Sequence, residues 1–323
     1  MSLREAIGHA APIRILQHAL ERRHFGVSFL FYGPGGVGKA FVARQFAKSL
    51  NCEKQSNDCC DSCSSCRTSD KGEYPDLHWF DVEGGSENIK IEQVRRMQEV
   101  MSLRPFEGKV KVCIIDNCQR LTEEAANSLL KILEEPSADS VIILMSTGLR
   151  LVLPTIASRC QKIRFSNLNR QQAECILEGK YHVNLEQRRY LAYYSDGKIG
   201  EALTLSQNEF FTQRDAVFSM LLQGPERRAS WEDIFKDKPQ SQQALSILMS
   251  WFRDIVFVRL RMPKEYLMNQ DKQRQITQQA ALYSPAQLFS MLDTLAKGFD
   301  YLKSNVNLKL LADTISVSLV WKN

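Results

Sequence analysis

The sequence lacks several features that would assign it to a specialised class of protein. No stretch approaches the 18 or so consecutive apolar residues of a membrane-spanning helix, and there is no internal repeat and no low-complexity segment. The first residues, Met1–Ala6, lack the basic and then apolar layout of a secretory signal. A net charge of +5 on 323 residues is too mild to indicate nucleic-acid binding by itself. We therefore expect a cytoplasmic protein of two or three domains with no membrane contact.

A phosphate-binding loop is present, but it lacks its last polar residue. The glycines and Lys39 fit the pattern G-x-x-x-x-G-K between an apolar strand, Phe29–Tyr32, and a helical pattern, Phe41–Leu50. Backbone N–H groups in such a loop bind phosphate. Ala40 stands where a Ser or Thr hydroxyl would bind Mg²⁺. The candidate nucleotide-binding residues of this degenerate loop are Gly33, Pro34, Gly35, Gly36, Val37, Gly38, Lys39 and Ala40.

A second defect follows the apolar run Val110–Ile115. Asp116 and Asn117 stand where a working ATPase of this type carries Asp-Glu. Asn117 cannot polarise a water molecule, and Ala40 cannot ligate Mg²⁺. The sequence therefore predicts an ATPase scaffold that can hold ATP or ADP through Lys39 without hydrolysing it. A glycine-rich turn with no ligand is the alternative.

Nine cysteines in a cytoplasmic chain indicate metal binding or thiol chemistry rather than disulfides. Cys52, Cys60, Cys63 and Cys66 follow the spacing C-x₇-C-x₂-C-x₂-C, which can close a tetrahedral thiolate cage around a structural Zn²⁺. The residues around them form turns and have no core, so this insert needs the metal to fold. Cys59 could replace Cys60 as a ligand. An iron–sulfur cluster and a metal-free loop are the other interpretations.

Short apolar runs alternate with helical patterns in the first half of the chain, which predicts a parallel α/β sheet buried on both faces. The predicted strands are Ser28–Tyr32, Leu77–Val82, Lys111–Asp116, Val141–Ser146 and Gln161–Phe165. Residues 166–205 then form a small helical unit with a break at 195–197. The remainder is helical, with loops expected around Gly224 and Pro239.

Several helix ends are also recognisable. Thr122 is predicted to cap a helix that Pro136 stops. Ser284, followed by proline, opens a helix to about Lys303. The apolar stretch Ala244–Leu260 predicts a core helix. A last amphipathic helix is expected near the end of the chain, over 308–321.

Ser158, Arg159 and Cys160 lie between the last two predicted strands. Taken alone, they describe a surface arginine beside a buried cysteine. At the end of a P-loop domain, however, Arg159 can reach a neighbouring subunit and neutralise the charge that develops on its γ-phosphate, as an arginine finger does. We therefore take this tripeptide as the candidate catalytic segment, acting in trans.

Together, four segments resemble the clamp-loader subunits of bacterial DNA polymerase III: Gly33–Lys39, Cys52–Cys66, Leu129–Pro136 and Leu153–Cys160. The resemblance covers essentially the whole chain. Because Ala40 and Asn117 replace the residues of the gamma/tau motor, the sequence is similar to the delta-prime type. Glu201 agrees with this, since active members place a nucleotide-sensing arginine in that lid segment and a carboxylate would repel a γ-phosphate.

The resemblance implies an AAA+ architecture: a P-loop sheet domain over 1–165 with a zinc insert over 52–66, a helical lid over 166–205 and an all-helical collar over 206–323. It implies a non-hydrolysing stator in a hetero-pentamer with gamma/tau and delta subunits. That complex would load the sliding clamp onto primed DNA within the DNA-directed DNA polymerase holoenzyme. Arg159 would serve the adjacent motor subunit. The alternative is an active stand-alone ATPase of the AAA+ class in replication or repair, with Mg²⁺ held by Asp116 and waters.

Overall fold

The computed structural model describes residues 2–22, 26–54, 57–223, 231, 233–304 and 306–320. The chain divides into two compact units, residues 1–176 with 196–200 and residues 177–195 with 201–323. This division is coarser than the three domains expected from the sequence, which stay a prediction. The loop expected around Gly224 lies outside the described residues. In the described part of the chain, no helix has the length and apolar character to cross a bilayer.

The first unit is built on a parallel sheet of five strands in the order β2-β3-β4-β1-β5. The strands are β1 Val27–Tyr32, β2 Leu77–Phe80, β3 Lys111–Ile115, β4 Ser140–Ser146 and β5 Gln161–Arg164. They confirm the five strands predicted from the sequence and the α/β class. β1 lies between β4 and β5, with Phe29 opposite both Ile143 and Gln161. The loop that follows β1 therefore begins at the carboxyl edge of the sheet, where ligands bind in folds of this kind.

Both faces of the sheet are buried. Successive side chains of a strand point to opposite faces, so each strand contributes residues to two cores. Phe29 and Phe31 face one core, where the Phe29 ring packs edge-on against Phe46 at 5.5 Å. Leu30 and Leu144 face the other core. This explains why the strands are nearly continuous in apolar residues instead of alternating.

The helices of the first unit are α1 Ala10–Arg22, α2 Lys39–Leu50, α3 Ser64–Lys71, α4 Ile91–Ser102, α5 Glu123–Glu134, α6 Pro154–Ser158 and α7 Arg170–Tyr181, which continues into the second unit. Buried residues of α1 and α2 belong to the first core, and buried residues of α4, α5 and α6 belong to the second. The Thr122 side chain accepts a hydrogen bond from the Ala125 N–H, which confirms the predicted cap of α5. That helix ends two residues before Pro136, also as predicted.

The described part of the second unit is helical. Its helices are α8 Leu185–Tyr194, most of α9 Ile199–Gln207, α10 Phe210–Gln223, α11 Lys238–Arg259, α12 Gln273–Leu282, α13 Pro285–Lys303 and α14 Leu308–Val320. The prediction of a loop around Pro239 is wrong, because Pro239 lies in the first turn of α11, which Asp237 caps. Proline is tolerated there, since the first turn has no intrahelical partner for its N–H groups. The core helix α11 packs closely on α13, where a Cβ on Gly298 would come within 3.1 Å of Leu245.

Candidate functional site

The phosphate-binding loop connects β1 to α2, and its backbone depends on glycine. Gly33 has φ 148° and Gly38 has φ 106°, conformations that disfavour any residue with a Cβ. At Gly33 there is also no space, because a Cβ would lie 2.0 Å from the Phe165 carbonyl oxygen. The backbone that follows β5 therefore excludes any side chain at residue 33.

Lys39 lies at the start of α2 with its side chain folded into the loop. Its ammonium donates hydrogen bonds to the carbonyl oxygens of Gly33 at 2.6 Å and Pro34 at 2.7 Å. Burial lowers the pKa of Lys39, and the nearby Asp116 carboxylate partly offsets this effect. The structure therefore brings together two of the predicted site residues, Lys39 and Asp116, at the carboxyl end of the sheet.

His9 contacts the loop through a hydrogen bond to its backbone, and it was not identified from the sequence. Its Nε2 lies 2.7 Å from the Val37 carbonyl oxygen, and its ring packs edge-on against Phe165 at 4.9 Å. Burial lowers the pKa of His9, which favours the neutral ring. A carbonyl oxygen can only accept, so the geometry assigns the proton to Nε2. A single histidine 28 residues before its partner carries no local signal in the sequence.

The segment around Gly200, which the sequence predicts to belong to a lid, contacts the loop. The Gly200 N–H donates to the Gly36 carbonyl oxygen at 2.8 Å, and a Cβ on Gly200 would come within 3.1 Å of the Gly36 Cα. Glu201, the residue singled out from the sequence, lines a pocket of the second unit with Tyr193 and Tyr194. This contact with the loop is therefore made by a glycine, through its backbone.

Asn117 forms a tight corner after β3. Its backbone is left-handed, with φ 53°, and its amide donates to Asp81 Oδ1 at 3.1 Å and accepts from Gln119 Nε2 at 3.2 Å. Burial raises the pKa of the neighbouring Asp116, and the negative charge of Asp81 adds to this effect. The position of the catalytic carboxylate is thus occupied by an amide that is engaged in local hydrogen bonds.

Ala40, in the first turn of α2, is partly buried and packs with its methyl group against the core beneath the sheet. The loop can therefore offer N–H groups and the Lys39 charge to a phosphate, as P-loops do. It has no hydroxyl at residue 40 for Mg²⁺ and no carboxylate at residue 117 for a water molecule. Of the groups that such sites use, the structure therefore retains the loop and Lys39 and lacks a metal-ligating hydroxyl and a water-polarising carboxylate at these two positions.

The four predicted cysteine ligands, Cys52, Cys60, Cys63 and Cys66, come together. Their sulfur atoms all lie within 4.8 Å of one another, and the Sγ atoms of Cys60 and Cys66 are 4.0 Å apart. Tetrahedral zinc with Zn–S near 2.3 Å places its sulfurs about 3.8 Å apart, so the donor set fits. The N–H groups of Cys63 and Cys66 donate to Cys60 Sγ and Cys63 Sγ, each at 3.4 Å. Such bonds orient the sulfurs toward a shared ion.

The thiols of this cage differ in their acidity. Hydrogen bonds, first of all from the Ser62 hydroxyl, lower the pKa of Cys60 to about 5. Burial raises the pKa of Cys66. Four thiols this close can all ionise only if a cation compensates their charge. Cys59 lies outside the cage, with its Sγ 3.5 Å from Asp61 Oδ1, and burial raises its pKa to about 12.

Two buried side chains connect the cysteine insert to the rest of the unit. The Asp58 carboxylate accepts hydrogen bonds from the backbone N–H groups of Leu3 at 2.9 Å and Arg4 at 3.1 Å. The Lys48 ammonium, on α2, pairs with Asp61 at 2.5 Å and Asp70 at 2.6 Å. The insert therefore joins the first residues of the chain to the far end of the helix that begins at the phosphate loop.

The candidate arginine, Arg159, lies at the end of α6 and is engaged within its own subunit. Its Nε donates to Glu134 Oε1 at 2.6 Å, its Nη2 contacts the same oxygen, and its Nη1 donates to the Thr155 carbonyl oxygen at 2.8 Å. Ser158 Oγ donates to that carbonyl at 3.0 Å. Cys160 is buried in the second core, and burial raises its pKa to about 12, so it is a packing residue here.

Comparison with known proteins gives two family matches along the chain. Residues 8–169 match the sequence model of a family described as the delta subunit of DNA polymerase III. Residues 208–314 match the model described as the C-terminal part of that subunit. The first match alone covers half of the chain.

Individual relatives agree with these matches. Over 316 residues, the chain is 29% identical to DNA polymerase III subunit delta' of Bacillus subtilis, covering 95% of this chain and 94% of the relative. It is 35% identical to the delta' subunit of Pseudomonas aeruginosa over 134 residues, 41% of each chain. Subunit tau of Bacillus subtilis is 30% identical over 207 residues, which cover 62% of this chain and 36% of tau.

Proposed function

The chain belongs to the delta-subunit family of DNA polymerase III, as a delta-prime-like clamp-loader subunit, and from that premise we propose that it is a non-hydrolysing stator that donates Arg159 in trans. In this role it helps a neighbouring motor subunit to hydrolyse ATP during loading of the sliding clamp. It does not itself turn over ATP. Any ATP or ADP that it holds is a static ligand.

The observation that carries the proposal is the pair of replacements at an otherwise complete phosphate loop. Ala40 turns a methyl group toward the core, and the Asn117 amide is occupied by Asp81 and Gln119. Restoring hydrolysis requires both a metal ligand and a group that polarises water. Both are missing while the anion-binding backbone and Lys39 are retained, which favours a scaffold over an enzyme.

Arg159 supports the donor half of the proposal. Its side chain is 33% exposed and lies at the end of a short helix, and its hydrogen-bond partners among the described residues are Thr155 and Glu134. The guanidinium is planar and permanently charged, which suits bidentate recognition of a phosphate. The side chain of an exposed arginine can exchange these partners for a ligand that is bound to an adjacent chain.

The cysteine cage is proposed to bind one structural Zn²⁺ through Cys52, Cys60, Cys63 and Cys66. Bound zinc would supply four thiolate bonds in place of an apolar core for the insert. All four thiolates are then used, so no open position remains for catalysis. The metal would stabilise the insert and, through Asp58, the first residues of the chain.

The proposed partners are the gamma/tau and delta subunits in a hetero-pentamer, with the sliding clamp and primed DNA reached through that complex in the cytoplasm. Exposed apolar side chains on the last two helices support assembly through a helical collar. Phe289 on α13 is 64% exposed, and Leu310 on α14 is 62% exposed. Apolar groups of this size favour burial against a partner.

Reconstitution of the complex with Arg159→Ala tests the donor role. A trans arginine is worth roughly 10³–10⁵ in rate at the site it serves. DNA-stimulated ATPase should fall partially if the motor sites hydrolyse ATP independently, and more severely if they hydrolyse it in sequence. Arg159→Lys should rescue poorly, since a point charge does not reproduce the guanidinium fork. Arg150→Ala, at an exposed arginine just before α6, is the matched control.

Two results would overturn the proposal. Wild-type ATPase and clamp loading with the Arg159→Ala variant fully incorporated would remove the donor role and leave a purely structural subunit. Steady-state ATPase of the purified chain near 1 s⁻¹ or above, typical of working enzymes, would instead favour the stand-alone ATPase. Native mass spectrometry with and without ATP provides the stoichiometry for both measurements.

A further inference from the structure

The guanidinium of Arg159 has all three of its nitrogens engaged within its own subunit. Nε and Nη2 share Glu134 Oε1, and Nη1 donates to the Thr155 carbonyl oxygen. The edge formed by Nε and one Nη is an edge through which arginine binds carboxylates and phosphates bidentately. Glu134 therefore occupies a surface of Arg159 that a phosphate would use.

We propose that Glu134 is a positioning residue that holds Arg159 in an idle state, and that the γ-phosphate of the neighbouring subunit takes Arg159 by displacing Glu134. This inference rests on the proposed trans role of Arg159. The carboxylate and the phosphate compete for one edge of one guanidinium. The fraction of Arg159 that is released from Glu134 then rises when a triphosphate is present at the interface.

The strength of the pair suits such an exchange. The side chains of Arg159 and Glu134 are 33% and 49% exposed. Ion pairs this accessible to water contribute up to about fivefold in an equilibrium, about 1 kcal/mol. The pair can therefore bias the orientation of Arg159 without preventing its release. A γ-phosphate offers more negative charge and more acceptor oxygens than one carboxylate.

The helix itself gives no reason for a carboxylate at this position. Glu134 is the last residue of α5, where the negative end of the helix dipole disfavours an acidic side chain. Its neighbour Glu135 is also exposed, and among the ion pairs of the described residues none involves it. Glu135 thus provides a matched control with the same charge at the same helix end.

The test uses the reconstituted complex with Glu134→Gln, Glu135→Gln, Arg159→Ala and the double variant Glu134→Gln/Arg159→Ala. Binding of a non-hydrolysable ATP analogue and of ADP is titrated, and DNA-stimulated ATPase is measured. Glu134→Gln should tighten analogue binding at the served site and raise its ATPase, each by up to about fivefold. ADP affinity should not change, because ADP has no γ-phosphate. Glu135→Gln should match wild type.

The double variant separates competition from a structural role. Glu134→Gln should have no effect once Arg159 is alanine, since it acts only through that arginine. An equal effect in both backgrounds, or tighter binding of ADP and the analogue alike, would overturn the proposal. So would an unchanged or weakened analogue affinity in Glu134→Gln.

Failure of this inference is distinguishable from failure of the donor role. If Arg159→Ala slows hydrolysis while Glu134→Gln behaves as wild type, the donor role stands and the competition is disproved. If Arg159→Ala has no effect, the premise and the inference fail together. Glu134→Ala, which offers Arg159 no hydrogen-bonding group at all, should give the same increase as Glu134→Gln, and wild-type behaviour of this variant would also disprove the competition.

Discussion

Asn117 adopts a left-handed backbone conformation, and its side chain joins Asp81 to Gln119 across the corner after β3. Asparagine tolerates this conformation better than most residues, because its short amide can hydrogen-bond locally. Glutamate has no such compensation, and here it would place a third carboxylate near Asp81 and Asp116. Position 117 is therefore adapted to a structural corner as well as lacking a catalytic group.

These contacts lead to a prediction for restored residues at the phosphate loop. Ala40→Thr alone should give no ATPase, because nothing polarises the attacking water. Ala40→Thr with Asn117→Glu should restore Mg²⁺ binding without turnover, because Glu201 remains and no neighbouring chain supplies an arginine to this loop. The Asn117→Glu change should also cost about 1–2 kcal/mol of stability. Steady-state ATPase, Mg²⁺ titration and thermal unfolding provide the measurements. Robust ATPase from Ala40→Thr would show that the missing hydroxyl is the decisive lesion.

His9 leads to a prediction of pH dependence. Because burial lowers its pKa, the unfolded chain takes up a proton below about pH 6.5 that the folded chain resists. Its contribution to stability is therefore complete above that pH and is lost as the pH falls toward the lowered pKa. His9→Gln keeps an N–H donor for Val37, so its thermal midpoint should fall less on acidification. His18→Gln, at an exposed position of α1, is the control, and parallel slopes in His9→Gln and wild type would contradict the assignment.

At this scale, the sequence predicts residues that belong to a local pattern. Gly33 to Lys39 and the cysteines are recognisable from their spacing alone. His9 and Glu134 are not, because their partners lie 28 and 25 residues away and only the packed sheet brings them together. The same holds for Asp58, which binds the backbone of Leu3 across 55 residues.

Among the elements, the cysteine insert forms no apolar core from its described residues apart from its own thiols. Its described contacts are the sulfur cluster and polar links, chiefly those of Asp58 and Lys48, with further hydrogen bonds from Arg4 to Asn57 and from Ser64 to Glu53. The strands, by contrast, are stabilised by two cores and by regular pairing with their neighbours. The insert and the sheet should therefore respond separately to loss of the metal.

Metal analysis is expected to return about one zinc per chain, with thiolate coordination. Cys63→Ser, or chelation, should increase hydrogen exchange over residues 52–66 and at Leu3, because Asp58 holds that segment. The sheet should keep its protection. Cys175→Ser, at an exposed cysteine, is the matched control. Unchanged exchange in the insert after complete zinc removal would show that the polar links are sufficient.

The predictability of each element follows from how it is stabilised. The strands were predictable because burial on both faces selects long apolar runs. The start of α11 was misplaced because Pro239 reads as a break, although Asp237 caps the helix and its first turn accepts proline. Helix starts with a local cap, such as Thr122, were predicted correctly because the cap and the helix are adjacent in sequence.

For the whole molecule, the exposed apolar side chains of α14 lead to a prediction about assembly. Leu310 and Val317 are seven residues apart and therefore lie on one face of the helix, 62% and 46% exposed. The double change Leu310→Glu/Val317→Glu should leave the chain folded and reduce its incorporation into the complex. Native mass spectrometry measures that incorporation. Leu260→Glu, at a residue 66% exposed after α11, is the control, and full incorporation of the double variant would place the interface elsewhere.

The fit of Gly33 against the Phe165 carbonyl has a consequence for how loops of this kind are interpreted. Alanine at residue 33 would collide with the backbone after β5 whether or not a nucleotide ever binds, because the obstruction is part of the sheet. A Cβ at Gly200, which faces the loop, would be crowded more mildly, at 3.1 Å from the Gly36 Cα. A chain that no longer hydrolyses nucleotide can therefore lose the hydroxyl and the carboxylate, while the packing of the sheet still requires glycine at residue 33. An intact glycine pattern indicates the shape of the loop, and only the residues that bind the metal and polarise water indicate the chemistry.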